Sequence, residues 1–428
     1  MVSWFLSLSR WRRLVVAGFA LVLVIHLVAI LHRRQHQGGD FDVHRNFGEG
    51  FLERLPQCGG GCFNYMPIAA MFYAPLAMAP AQVTFICRYV VALLCLWLIL
   101  KWLTDMLPAN VSSERRFLIV ALTLLFCLKY IIRDLDDAGP HLILVGMLVA
   151  GMTLARRGKD MAGGFCFALA IVLKMTPGLL LPYLAWKRRW RLLLVTVTAC
   201  AVLIVSPALW LGTSLWWSCQ KQWNDVAFCV FSGQEHAGLN ENDLRVQNQS
   251  LKMALMHPLV VYPEGHSMRS ASEIFSAFDL PVQQARLLAN LAMAGLLGFF
   301  WLRTRQAGSG NGAAVMPLEL AGLFLLMVLF SPVTWVQHLV FALPAVFLIL
   351  ADERRKPWPV KIALGVYLVL ALILNREMLG KENYLFLLAC HIHTAAMLIL
   401  LGLVLWLRSR PEEIASSVIE RRPFARAA

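Results

Sequence analysis

Carboxylates, imidazoles and amines recur in this chain at positions where an apolar sequence should not keep them. Asp40, Asp42 and His44 follow the first apolar block, and Arg88 lies just inside the second. Arg133, Asp134, Asp136 and Asp137 fill the short connection after the third, and Lys174 stands between two short apolar blocks. Asn248-Gln249-Ser250, Trp335, Gln337 and His338 complete the set. A carboxylate can take a proton from a hydroxyl, and cations can hold a phosphate. Ionisable groups in or at the ends of apolar helices are functional candidates, because burying them is costly. Each also has a plainer reading. The three clustered aspartates fit a solvated turn, Lys174 a side chain reaching the interface, and His338 a hydrogen-bonded core histidine. Asp40 and Asp42 fit the cap of a helix running from Val43. His26, inside the first block, has no evident partner in the sequence.

The elements that must position these residues are membrane helices. Of 428 residues, 59% are hydrophobic, in long blocks without the alternation of strands. About twenty such residues cross a bilayer as a helix. The first block is long, lacks a small-residue cleavage site and is followed by His32-Arg33-Arg34, so it reads as a retained helix rather than a signal peptide. Basic clusters recur between the blocks, at Arg10/Arg12/Arg13, Arg115/Arg116, Arg156/Arg157/Lys159, Lys187/Arg188/Arg189/Arg191, Arg303/Arg305, Arg354/Arg355/Lys356 and Arg408/Arg410. Placed together on the cytoplasmic side, they account for the net charge of +14 without a nucleic-acid partner.

The pattern predicts an all-α polytopic protein of about twelve transmembrane helices, a single domain over 1–428 with both termini cytoplasmic. The expected spans are 14–31, 83–103, 117–132, 139–155, 161–174, 176–186, 192–211, 286–302, 316–333, 338–351, 359–375 and 388–407. The basic clusters make 161–174 and 176–186 two short helices meeting at the outer surface, with Lys174 at the tip, rather than one kinked span. Two long outer loops follow, 32–82 and 212–283, with a cytoplasmic tail at 408–428. Apolar stretches in these loops, such as 66–78, suit helices lying along the interface. All the candidate residues then gather on the outer face, the arrangement an active site at a membrane surface needs.

Four of the ten cysteines fall in the outer loops, where Cys58–Cys62 and Cys219–Cys229 are candidate disulfides. No His/Cys set with zinc-ligand spacing accompanies them.

The spacing of the polar residues resembles glycosyltransferase family 87, polyprenol-phosphate-dependent membrane enzymes of the GT-C fold. Asp40-Phe41-Asp42-Val43-His44 is similar to that family's Asp-Phe-x-Val-Tyr after the first helix. Phe63-Asn64-Tyr65-Met66-Pro67, with Ala74-Pro75-Leu76 beyond it, resembles the Tyr-Pro-Pro segment and its downstream Pro-Leu. Leu173-Lys174-Met175-Thr176-Pro177 and Trp186-Lys187-Arg188-Arg189 resemble the Lys-x-x-Pro helix pair and basic tail. Asn248-Gln249-Ser250-Leu251 and Ser331-Pro332-Val333-Thr334-Trp335-Val336-Gln337-His338 look like the Asn-Gln-Ser-Leu and Ser-Pro-x-x-Trp-x-x-His motifs. The motifs run in the expected order from 40 to 338. Three departures stand out: His44 replaces Tyr, Met66 replaces the first Pro, and Gly139-Pro140-His141-Leu142 stands where Gly-Gln-x-Asn is common.

The resemblance implies an inverting transfer of a sugar, mannose or a similar hexose or pentose, from a polyprenyl phosphate to a lipid-linked or cell-envelope glycan outside the plasma membrane. It places the general base at Asp40, with Asp42 as the alternate, since both would share a face of an extended segment. Arg88, Lys174 and His338 are the candidates for the donor phosphate. His44, Tyr65, Asn248, Gln249, Trp335 and Gln337 are the candidates for sugar or acceptor. No cofactor is expected, although Asp134, Asp136 and Asp137 keep a divalent ion open. Two other classes compete. A ligase or polymerase using a diphosphate-linked donor would place arginines in the large outer loop, where only Arg245 and Arg269 lie. A transporter would place its polar groups near mid-bilayer. The sequence assigns no oligomeric state.

Overall fold

The computed structural model describes residues 9–34, 40–55, 65–232, 247–261, 276–305, 317–352 and 357–409, and every regular element among them is helical. Helix α1 spans Arg10–Arg34, α2 Asp40–Leu52, α3 Pro67–Ala77, α4 Ala81–Asp105 and α5 Ser113–Asp136. Helix α6 spans His141–Arg156, α7 Asp160–Leu173 and, after a 3₁₀ turn at Thr176–Leu179, α8 Leu180–Trp186. There follow α9 Trp190–Val205, α10 Ala208–Leu211, α11 Thr213–Ser232, α12 Leu251–Met256, α13 Val282–Thr304 and α14 Pro317–Leu329. A 3₁₀ helix, Val336–Ala342, leads into α15, Leu343–Ala351. Helix α16, Trp358–Leu368, runs into a π turn at Val369–Ile373, and α17 Arg376–Ala389 and α18 Ile392–Ser409 close the described chain.

Among the described residues, five helices are long and apolar enough to cross a bilayer alone: Arg10–Arg33, Ala81–Asp105, Trp190–Leu211, Val282–Thr304 and Ile392–Ser409. The bent pair Trp358–Ile373 and Arg376–Ala389, which meet at 97°, is long and apolar enough only when its two helices are taken together. The other apolar helices, including His141–Arg156, Asp160–Leu173, Pro317–Leu329 and Val336–Ala351, are shorter than a bilayer's thickness requires. Three of these, α6, α14 and α15, are buried along most of their length, so neighbouring protein shields their ends. The stretch expected to lie along the interface behaves differently too. Helix α3 buries Pro67, Ile68, Ala69, Ala70, Tyr73 and Ala74 and packs on α2. Gly48 of α2 touches the Tyr73 backbone so closely that any side chain there would collide with it. Arg45 of α2 donates to Leu76 O (3.2 Å) and Ala79 O (3.4 Å), satisfying carbonyls at the end of α3.

Side-chain contacts gather the basic clusters at one end of the bundle. Arg12 reaches Ser113 (3.4 Å), and Arg115 reaches Ala351 O at the end of α15 (3.4 Å). Arg189, past α8, pairs with Asp160 at the start of α7 (3.1 Å). The α7–α8 segment is therefore a hairpin that returns to its starting level, with Lys174 near its tip. The break falls at Lys174, which is extended (φ −153°, ψ 122°), and Pro177, with no N–H to donate one turn back and a ring that would meet the Leu173 carbonyl, keeps α7 from running on. At the same end, buried Glu319 of α14 binds Lys187 (2.8 Å), Arg408 (2.8 Å) and the Tyr183 hydroxyl (2.7 Å). Lys187 also donates to Thr304 O. The opposite end carries the α1–α5 contact Arg33–Asp136 (2.9 Å), the α5–α6 turn and Lys174.

Cys58, Cys62 and the Cys229 side chain lie outside the described residues. Cys219 and Cys229 belong to one continuous helix, α11, ten residues and about 15 Å apart by helical rise. That spacing is beyond a disulfide's reach, so the expected Cys219–Cys229 pairing does not form in this fold.

Glu319→Ala removes the buried anion on which two half-buried cations rely. It should destabilise the bundle by about 3–5 kcal/mol, read as a lowered melting temperature in detergent. A melting temperature unchanged from wild type would show that the cluster contributes nothing.

Candidate active site

The end of α5 is built around one carboxylate. Ala138 adopts a left-handed conformation (φ +46°), and the Gly139 N–H closes on Asp134 O (2.9 Å). The Asp134 side chain turns back to accept from the first backbone amides of α6, His141 N (3.3 Å) and Leu142 N (2.9 Å). It thus caps a helix other than its own, and α6's dipole favours the negative charge. A side chain at Gly139 would run into this carboxylate and crowd the His141 ring. Arg88 of α4 fixes the turn from outside by donating to Gly139 O (3.3 Å).

His141 Nδ1 lies 2.8 Å from Asp134 Oδ1. A carboxylate oxygen accepts, so Nδ1 carries the proton and Nε2 is left as an acceptor. Lys174 Nζ donates to that nitrogen at 2.9 Å and also lies 3.3 Å from His338 Nε2. The amine is therefore held between two imidazoles, whose ring centroids are 4.2 Å apart.

His338 is delivered by the 3₁₀ helix after the 331–335 turn. That turn is shaped by Asn248 and Gln249. Asn248 Oδ1 accepts from Thr334 N (2.9 Å) and Ser250 N (3.1 Å), and its Nδ2 donates to Pro332 O (3.0 Å). Gln249 N donates to Thr334 O (2.7 Å). The Gln249 side chain donates to Leu388 O (2.8 Å) and accepts from His393 N (3.3 Å).

Asp40 opens α2 and accepts from Gln337 Nε2 (3.4 Å). One turn later, His44 is buried, its ring stacked on Tyr73 (4.5 Å between centroids) and edge-on to Tyr65 (5.8 Å). Asp40 stays accessible, yet the surrounding walls desolvate its carboxyl and raise its pKa above the ordinary value. Arg133, the Gln337 hydrogen bond and Lys174 oppose that rise. Asp137, which follows α5, is pushed up to about 7, chiefly by burial.

Asp40, Asp137, His141, Lys174 and His338 line one cavity of about 1540 Å³. Of the residues expected from the sequence, it brings together Asp40, His44, Tyr65, Lys174, Trp335, Gln337 and His338. Four do not line it. Asp42 was expected to share a face with Asp40 in an extended segment. The helix instead begins at Asp40, which turns residues two apart about 200° from each other. Arg88 is buried behind the wall, bonded to Gly139 O and 5.7 Å from the centre of the Phe72 ring. Asn248 and Gln249 are spent on backbone groups and position Trp335, Gln337 and His338.

The three aspartates diverge: Asp134 caps α6, Asp136 pairs with Arg33 and Arg133 (both 2.9 Å), and Asp137 faces the cavity. Among the described residues no three His, Cys, Asp or Glu side chains converge as a metal set.

The cavity also contains residues the sequence reading passed over. Lys129 sits inside an apolar block, where any ionisable residue is a candidate. Trp223 comes from the second long loop, and Arg376, Lys381 and Tyr384 come from a charged run that reads as a solvated connection. His141 occupies the departure from the Gly-Gln-x-Asn pattern.

The chain is 27% identical over 344 residues to a polyprenol-phosphate-mannose-dependent alpha-(1-2)-phosphatidylinositol mannoside mannosyltransferase of Mycolicibacterium smegmatis, covering 74% of this chain and 71% of the relative. Among solved structures, ArnT from Cupriavidus metallidurans in the apo state superposes with a TM-score of 0.41 at 13% identity, over 92% of this chain and 78% of that one. The model of glycosyltransferase family 87 matches residues 63–332, a stretch that holds Lys174, Asn248 and Gln249 and stops short of Asp40 and His338 at either end. That match covers more than half of the sequence, and the chain belongs to glycosyltransferase family 87.

Proposed function

We propose that this glycosyltransferase moves a sugar, mannose or a similar hexose or pentose, from a polyprenyl phosphate to a lipid-linked or cell-envelope acceptor. The reaction takes place at the outer face of the plasma membrane, on a scaffold of about twelve membrane helices of GT-C type with its basic end and both termini in the cytoplasm. The observation that carries the reading is the convergence of Asp40 and Lys174 on one cavity, although they lie far apart in sequence. The mycobacterial relative, named for a polyprenol-phosphate-mannose donor, supports the donor class.

The chemistry needs two functions. The acceptor oxygen attacks the anomeric carbon of the donor, and Asp40 takes the hydroxyl proton. The bond from that carbon to the phosphate oxygen breaks, and polyprenyl phosphate leaves with the electron pair, inverting the configuration. A phosphate is a weak base, so the leaving group needs charge stabilisation rather than a proton. Lys174 supplies it, steadied by His141 and His338. Asp134 acts through His141, by holding the tautomer that accepts from Lys174. Trp335 stacks on a sugar face, and His44 and Tyr65 shape the pocket beneath Asp40. With a cation supplied by the protein, the reading includes no divalent ion.

Asp40→Asn should abolish transfer to the acceptor while leaving the melting temperature within a degree or two of wild type. Full activity in this variant would remove Asp40 as the base. Lys174→Met should lower the rate about a hundredfold. Asp134→Asn should lower it less and also reduce stability, because the cap of α6 weakens. A base works only when ionised, so the rate should fall as pH drops through the raised Asp40 pKa. Gln337→Leu deletes an interaction that lowers that pKa, so the acid limb of the pH–rate profile should move to higher pH. A limb that stays in place, or moves down, would detach it from Asp40.

A further inference from the structure

One nitrogen in the cavity wall has no structural use. His44 of α2 is 5% exposed, and its Nδ1 is buried with no hydrogen-bond partner among the described residues. The ring lies flat on Tyr73 (4.5 Å between centroids, 12° between planes) and edge-on to Tyr65. Filling the space between two tyrosines is its plain reading. A phenyl ring would fill that space as well and would bury no nitrogen. A buried polar atom without a partner costs stability. Packing therefore accounts for an aromatic ring at this position and leaves the histidine unexplained.

The second nitrogen points to the reason. A proton on Nδ1 would bury an orphan donor, which is rarer in folded proteins than an under-used acceptor. The proton thus belongs on Nε2, the ring's other polar atom, and His44 lines the cavity. Burial, with Arg88 and Lys174 nearby, pushes the pKa down to about 3, so the ring is neutral at physiological pH. It offers the cavity one N–H and no charge. Such a group suits a hydroxyl better than a phosphate, for which Lys174 competes with a full charge.

Its place in the cavity selects which hydroxyl. Asp40 lies four residues earlier on α2, so the two side chains share a face. A helical side chain also leans toward the N-terminus, here toward Asp40. Lys174 is near enough to act on the ring electrostatically. In the proposed reaction the acceptor oxygen attacks from Asp40 and the phosphate departs toward Lys174, with the anomeric carbon between them. A residue adjoining both poles meets the two groups that flank this carbon, the ring oxygen and the hydroxyl on the next carbon. The ring oxygen takes on positive charge as the bond to phosphate breaks, and it repels an N–H donor. The hydroxyl accepts one.

We propose that His44 Nε2–H donates to the hydroxyl on the carbon next to the anomeric carbon of the transferred sugar, which makes His44 a specificity-determining residue. This rests on the transferase reading above and narrows its donor to sugars with a free hydroxyl at that carbon.

The test uses purified full-length protein in detergent, with a membrane lipid extract as acceptor. The donors are polyprenyl-phosphate mannose, glucose and xylose, and the 2-deoxy analogue of whichever is transferred fastest. Loss of the 2-hydroxyl also makes a sugar intrinsically more reactive, so the measure is a cycle of enzyme and donor rather than a single rate. H44F keeps a ring on Tyr73 and removes both nitrogens. It should lower kcat/KM on the parent sugar about tenfold or more, and on the 2-deoxy sugar about twofold at most. It should also melt at or above the wild-type temperature, because the nitrogen it deletes has no partner in the fold. H44Q retains a side-chain N–H near Nε2 and should stay within about threefold of wild type on the parent sugar. Equal losses on the two donors would place His44 on another group of the substrates, and full activity in H44F would leave it a space filler; either result overturns the proposal. A lower melting temperature in H44F, or an H44Q as slow as H44F, would overturn it too. No transfer from any of the three parent donors by wild-type protein would instead remove the transferase reading, and this inference with it.

Discussion

A carboxylate beneath the wall of an apolar bundle persists only where several donors meet it, and Asp134 meets three. Two are the first amides of α6 and the third is the His141 ring. This one group closes the α5–α6 turn, sets the direction of α6 and fixes which nitrogen of His141 is free to accept. Lys174 arrives from a different hairpin, yet the place of its amine is determined by that nitrogen. The requirement explains the local sequence. Gly139 leaves room for the carboxylate, Ala138 takes the left-handed conformation that turns the chain back, and Arg88 is drawn off the cavity to the Gly139 carbonyl.

The other wall of the site depends on an equivalent device made of amides. Asn248 and Gln249 bind the backbone of the 331–335 turn, and Gln249 extends the tie to α17 and α18. Amides suit the task because each side chain can donate and accept at once, and a turn exposes both kinds of backbone group. The Asn248–Ser250 segment thereby sets the position of His338. The motif acts on the site through geometry, with its polar atoms consumed in doing so.

The sequence made the helical bundle legible because long apolar blocks without alternation report helices, and the basic clusters report which helix ends share one end of it. It also singled out Asp40, Lys174 and His338, because ionisable residues at the ends of apolar blocks have few structural reasons to be there. The readings that failed did so for specific reasons. Treating 40–44 as extended put Asp42 beside Asp40, and a helix starting at Asp40 rotated it away. Asn248 and Gln249 looked like ligand-binding amides because hydrogen-bonding capacity is visible in a sequence and its partners are not. The Cys219–Cys229 pairing ignored that both could lie on one straight helix. Lys129 was missed because it lies inside a block already counted as a span. The α17 residues were missed because a short charged run between two spans looks the same whether it faces solvent or a cavity.

Two kinds of buried or half-buried charge divide the labour along the bundle axis. At the basic end, Glu319 is closed on every side by Lys187, Arg408 and Tyr183, and such a cluster can only hold α8, α14 and α18 in register. At the other end, Lys174 rests on neutral imidazoles and Lys129 on a carbonyl and a ring, so neither amine has its charge balanced by a contacting anion. A cation held by dipoles alone in a partly desolvated cavity has position without neutralisation, which is the condition the proposed phosphate contact requires.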